Sequence, residues 1–179
     1  MPSHPAMSRG HLMSPWLWVK LVHVVLGAFW FGAAVVGTFY LTAAARALGP
    51  AAAPVLKYII GVRKYSVVMN IVAGLTVLTG LGLYDRLSNH FRNPLVYNFH
   101  GWALTLGAVC GILAIIWGGA VVSPAGKRMG EITMKLTGPP TPEQAAELTG
   151  LQKRMHVGGL VAVALVLLAL VGMALSHPI

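Results

Sequence analysis

Four long apolar runs divide this chain and leave it few ways to fold. They are Leu21 to Ala45, Tyr65 to Tyr84, Asn93 to Gly126 and Val157 to Ser176, and none contains Lys, Arg, Asp or Glu. A hydrocarbon core about 30 Å thick is crossed by roughly 20 such residues in an α-helix. In lipid every backbone N–H and C=O must find its partner within the protein, which an α-helix achieves locally. The expected fold is therefore all-α: an integral membrane four-helix bundle with up-down, antiparallel topology. One transmembrane domain, 16–179, would follow an amino-terminal tail of residues 1–15. Its spans are expected near 16–45, 65–86, 94–122 and 152–176, with an inner loop at 123–151.

Composition agrees, with 56% hydrophobic and 9% charged residues. The formal net charge of +9 does not point to nucleic acid, because the basic residues sit in the gaps between spans rather than on one face. There they act as topology signals. The first gap carries Arg46, Lys57, Arg63 and Lys64; the third carries Lys127, Arg128, Lys135, Lys153 and Arg154. Those nine outnumber Arg9, Lys20, Arg86 and Arg92, the four on the other side. Basic loops stay in the cytoplasm, so both termini are expected to be external. The first run is too long for the apolar region of a cleaved signal peptide. The lone Cys110 excludes a disulfide framework, a cysteine metal cage and covalent c-type haem. No span holds an Asp or Glu, which argues against carboxylate-based proton or cation transport.

Helix boundaries are legible in places. Helix one is expected to begin near Pro15 or Trp16 and to end at Gly49-Pro50. Pro94 suits the first turn of helix three. Ala51 to Lys64 reads as a short surface helix, and Lys127 to Leu136 as an interfacial helix that Gly138, Pro139 and Pro140 break. Thr141, Pro142 and Gln144 together form a capping-box pattern for a helix that leads into span four.

Histidines carry the chemistry. His23 lies near the start of the first run and His100 near the start of the third, and spans one and three run the same way. At helical spacing His23 shares a face with Gly27, Trp30, Ala34 and Thr38, with Lys20 one turn earlier. His100 shares one with Ala103, Leu104, Gly107, Gly111 and Ala114. Two histidines above stripes of small residues suit a flat ligand between helices. Haem b fits, since bundle cores host cofactors between facing helices and histidine is a common axial ligand of its iron. His23 and His100 would bind the iron, Lys20 would meet a propionate, Trp30 would pack on the macrocycle, and Gly27 and Gly107 would give it room. The bland alternatives are helix packing for the small stripes and a simple hydrogen bond for each histidine. His156 reads as an interfacial residue beside Lys153 and Arg154, and Met69 and Asn70 as packing residues.

The residues Trp18-Val-Lys20-Leu-Val-His23, followed by Trp30, Gly32 and Phe39-Tyr40-Leu41, resemble the first span of a group of small bacterial four-helix membrane proteins. The group includes the haem-type protoporphyrinogen oxidase, copper-resistance D domains and related uncharacterised membrane proteins. Gly138-Pro-Pro-Thr141 to Leu151 is similar to those uncharacterised relatives. The resemblance implies a b-type haem and a membrane redox role, with His23 as an axial ligand and Lys20 as its polar companion. The chain departs from the oxidase pattern at the start of helix three, where the oxidases resemble a His-x-Lys sequence and His100 is here followed by Gly101 and Trp102.

These readings converge on a haem b membrane protein, an oxidoreductase or electron-transport component of the bacterial cytoplasmic (inner) membrane. Its partners would be the lipid bilayer, a quinol and an external redox protein, in a homo-oligomer or a larger membrane complex. Two alternatives remain: a copper-handling or metal-transport protein, and a cofactor-free structural subunit.

Overall fold

The computed structural model describes residues 14–92 and 99–176, and among these all the regular secondary structure is helical. Four helices are long and apolar enough to cross a membrane: α1 (Pro15–Leu48), α2 (Tyr65–Leu87), α3 (Phe99–Lys135) and α4 (Pro142–Leu175). They form an antiparallel bundle, which the contacts between neighbours fix. The start of α1 meets the end of α2, where Arg86 lies 4.5 Å over the Trp16 ring. His100 at the start of α3 bonds Leu175 at the end of α4. Contacts run α1–α2, α2–α3, α3–α4 and α4–α1, so α1 and α3 stand at opposite corners.

Side-chain distribution is that of a protein dissolved in lipid. Large apolar residues such as Leu17, Val24, Phe29, Leu78, Leu106 and Leu168 point outward. Small ones are buried: Gly27, Ala73, Gly107, Ala114, Gly158 and Gly172. Lipid tails are as apolar as leucine, so helices gain little by burying leucine against one another. They gain by close packing, which small residues allow. The clearest case joins α3 to α4. A Cβ on Gly172 would lie 2.5 Å from the Ala103 carbonyl oxygen and 3.0 Å from the Gly107 Cα, so two backbones touch there. Trp117 locks the same pair further along, its indole N–H donating to the Gly158 carbonyl at 3.0 Å.

The connection between α1 and α2 turns at Gly49, which takes φ +51°. It then passes through the short helical segments Gly49–Ala52, Ala53–Leu56 and Lys57–Val62, more broken than a single surface helix. Lys64 adopts a left-handed conformation just before α2. α3 does not stop at the membrane boundary. It runs through the expected interfacial helix to Lys135, and at 1.5 Å per residue its 37 residues span about 56 Å. The extension from Ser123 to Lys135 is amphipathic and buries Ala125, Met129 and Ile132. The α1–α2 connection and α4 pack on it. α4 begins at Pro142 with the capping box intact: the Gln144 N–H donates to Thr141 Oγ1, and the Thr141 N–H donates to the Gln144 side chain. It is 34 residues long and continuous through Gly150. Arg128 ties the two projecting helices together, meeting Glu147 at 2.7 Å and Glu131 at 3.6 Å. The expected helix start at Pro94 lies outside the described residues, as does most of the 1–15 tail; Pro15 itself opens α1.

Candidate functional site

His23 is buried on α1 and faces α2. Its Nδ1 lies 2.9 Å from the Thr76 carbonyl oxygen and 3.2 Å from Thr79 Oγ1. The Thr79 hydroxyl donates to the Leu75 carbonyl at 2.7 Å. A carbonyl can only accept, so Nδ1 must be the protonated nitrogen. In the neutral ring Nε2 then keeps its lone pair. Gly80 makes room for the ring: a Cβ there would fall 2.8 Å from His23 Cε1.

His100 repeats the pattern on an exposed face. Its Nδ1 donates to the Leu175 carbonyl at 2.9 Å, and the Phe99 ring stands edge-on to it with centroids 5.9 Å apart. Both histidines therefore hold the tautomer that metal-bound histidines hold, with the second nitrogen anchored on a carbonyl. His23 is seated on α2 and His100 on α4. Among the described residues no three His, Cys, Asp or Glu side chains come together as a metal site.

The other residues expected near a cofactor are distributed differently. Lys20 is exposed on α1. Gly27 is buried with Thr76 opposite it, 3.7 Å from where its Cβ would be. Gly107 is taken up by the α4 contact. The two glycines thus serve helix packing, the bland reading of the small stripes. Trp30 belongs to another feature altogether.

That feature is a partly open cavity of about 160 Å³ at the loop end of the bundle. All four helices line it, through residues such as Trp30 and Thr38 of α1, Tyr65 and Asn70 of α2, Ala114 of α3 and Gln152 of α4. Three π-helical stretches border it, Val36–Leu41 in α1, Lys57–Val62 in the α1–α2 connection and Gly118–Val122 in α3. Such insertions widen a helix and occur often at functional sites. Tyr65 crosses to α1, its hydroxyl donating to the Ala33 carbonyl at 2.7 Å. Ser123 Oγ donates to Asn70 Oδ1 at 3.1 Å. Thr42 donates to the Thr38 carbonyl, and His156 Nδ1 sits 3.5 Å from Thr42 Oγ1.

This cavity was not expected from the sequence, in which Asn70, one of its lining residues, reads as a packing residue. A signal was present: Thr38, Thr42, Ser66, Asn70, Ser123 and Gln152 are the polar residues at the loop end of successive spans. Antiparallel register gathers them at one level.

Comparisons with protein-family models, with characterised proteins and with solved structures find no match to this chain. What stands is a generic four-helix, apolar, membrane-spanning bundle, and thus a multi-pass integral membrane protein.

Proposed function

We propose that this protein is a haem b protein of the bacterial inner membrane with an electron-transfer role, and that it belongs with the haem-containing four-helix proteins its first span resembles. One observation carries the reading: His23 and His100 each anchor Nδ1 on a backbone carbonyl and keep Nε2 free to ligate. Two neutral imidazoles are a sufficient donor set for b-type haem; the two would have to reach it from α1 and α3, at opposite corners of the bundle, where they are seated on α2 and α4. The Gly27 and Gly107 stripes do not add to the case, because helix contacts occupy them. When bound, the haem would supply one-electron chemistry between a lipid-soluble donor and a redox partner at the membrane surface. The chain's part is ligation, fixing of the histidine tautomers and exclusion of water from His23. Lys20 is placed one turn from His23 to offer a cation to a propionate.

The test is the reduced-minus-oxidised visible spectrum of the purified protein and its variants at matched protein level. The wild type should show a Soret band and reducible α and β bands. His23→Ala and His100→Ala should each lose haem or turn low-spin iron high-spin, while His156→Ala keeps the wild-type spectrum. A wild-type protein expressed with ample haem that shows no Soret band would defeat the reading.

A further inference from the structure

We infer that the loop-end cavity binds the head of a neutral, lipid-soluble ring compound that carries a carbonyl acceptor and an apolar tail, the chemistry of a quinone. The inference names a lipid-soluble partner for the redox reading, but it rests on the cavity and needs neither histidine ligand.

Size comes first. An apolar cavity of roughly 150 Å³ accommodates one benzene-sized ring, and this one is about 160 Å³. That space suits a single six-membered ring. Its walls are mainly apolar, with Met69, Met129 and Met155 among them. Methionine is flexible and adapts to a flat guest. Trp30 adds an aromatic side chain to the lining.

Polarity comes next. Asn70 receives the Ser123 hydroxyl on Oδ1, which leaves its two amide N–H donors without a partner among the described residues. Gln152 and Ser66 also line the cavity and make no side-chain hydrogen bond among the described residues. No side-chain polar atom there is both fully buried and unpartnered, so these groups reach open space. Asn70 is exposed, so these donors are open to a guest that enters the cavity. A carbonyl oxygen on a ligand would satisfy one of them.

Depth agrees with both. Asn70 lies five residues into α2, about 7.5 Å from its start, just inside the charged pair Arg63 and Lys64. That is the border between headgroups and hydrocarbon, where an amphipathic guest keeps its polar head while its tail stays in lipid. The π-helical stretches that gather at this level, in α1, the α1–α2 connection and α3, are the second sign of a built site.

The experiment is a titration of the purified full-length protein in lipid nanodiscs with a decyl-tailed benzoquinone, followed by tryptophan fluorescence. Saturable quenching is expected. Ala34→Phe, which fills the cavity, should abolish it. Asn70→Leu should weaken it roughly five- to tenfold, the loss of a hydrogen bond to a ligand, and this variant decides the matter if Ala34→Phe fails to fold. Decylbenzene, which has the tail and ring but no carbonyl, should compete at least tenfold more weakly. Gly82→Leu, whose added Cβ meets nothing within 4 Å, should bind the quinone as wild type does, and the titration is repeated on protein purified free of haem, so that failure of the haem reading leaves this result standing. Linear quenching equal in all variants, or decylbenzene competing as well as the quinone, would overturn the inference.

Discussion

At the scale of single residues, the environment of His23 is tightly constrained. Two acceptors on α2 hold one ring nitrogen, and Gly80 leaves just enough space for the ring edge. Gly80→Ala would put a methyl 2.8 Å from Cε1, closer than atoms pack, so the ring or the helix must move. Overpacking of this kind costs about 1–3 kcal/mol. The variant should melt at a lower temperature in detergent, and any haem spectrum should shift with it. Thr79→Val is milder. It removes the 3.2 Å contact but keeps the Thr76 carbonyl, so the tautomer survives and the spectrum should stay close to wild type. A Thr79→Val spectrum as altered as that of Gly80→Ala would mean that the hydroxyl, not the carbonyl, sets the tautomer.

At the scale of elements, the α3–α4 pair depends on backbone contact that no larger residue can reproduce. Gly172→Leu would drive a side chain into the Ala103 carbonyl and the Gly107 backbone. Unlike a side-chain clash, this cannot be relieved by a rotamer change. The helices would have to separate, at a cost at or above the ~1–3 kcal/mol typical of overpacking, read as earlier unfolding in denaturing detergent. Gly82→Leu is the control, since nothing lies within 4 Å of its added Cβ. At the other end of α4, Thr141→Ala removes one half of the capping box and should cost about 1 kcal/mol, seen as increased amide exchange in the first turn. These two features differ in how well the sequence announced them. The capping box was legible because its residues are three apart and act locally. The Gly107–Gly172 contact was not, because small residues spaced along a helix look alike whether they face a ligand or another helix. Only pairing α3 with α4 decides which. The same ambiguity hid the continuation of α3 past Ser123, where charged residues suggested a separate surface helix but the buried Met129 and Ile132 face makes one rod.

At the scale of the whole molecule, the four-helix bundle was legible because hydrocarbon thickness imposes run length directly on sequence. The cavity was not, because it exists only where four separate spans meet, and no single span shows more than one or two polar residues there. The bundle also gathers charge at one end. Arg46, Lys57, Arg63, Lys64, Lys127, Arg128, Lys135, Lys153 and Arg154 are all exposed at the loop end. At the terminal end one of the few cations, Arg86, is engaged with Trp16. The bundle thus presents a strongly basic face, where α3 and α4 project past the hydrocarbon, and a weakly charged one. Cytoplasmic leaflets carry anionic lipids, and basic segments resist translocation. The loop end should therefore face the cytoplasm, with His100 near the external surface and the Asn70 cavity near the internal one. A reporter active only in the cytoplasm, fused to the carboxyl end, should give no signal, and the same reporter inserted at Gly138, between α3 and α4, should give a strong one. The reverse pair of results would turn the molecule over. It would place the cavity mouth and the Arg128–Glu147 pair outside the cell, and would require a donor that reaches the protein from that side.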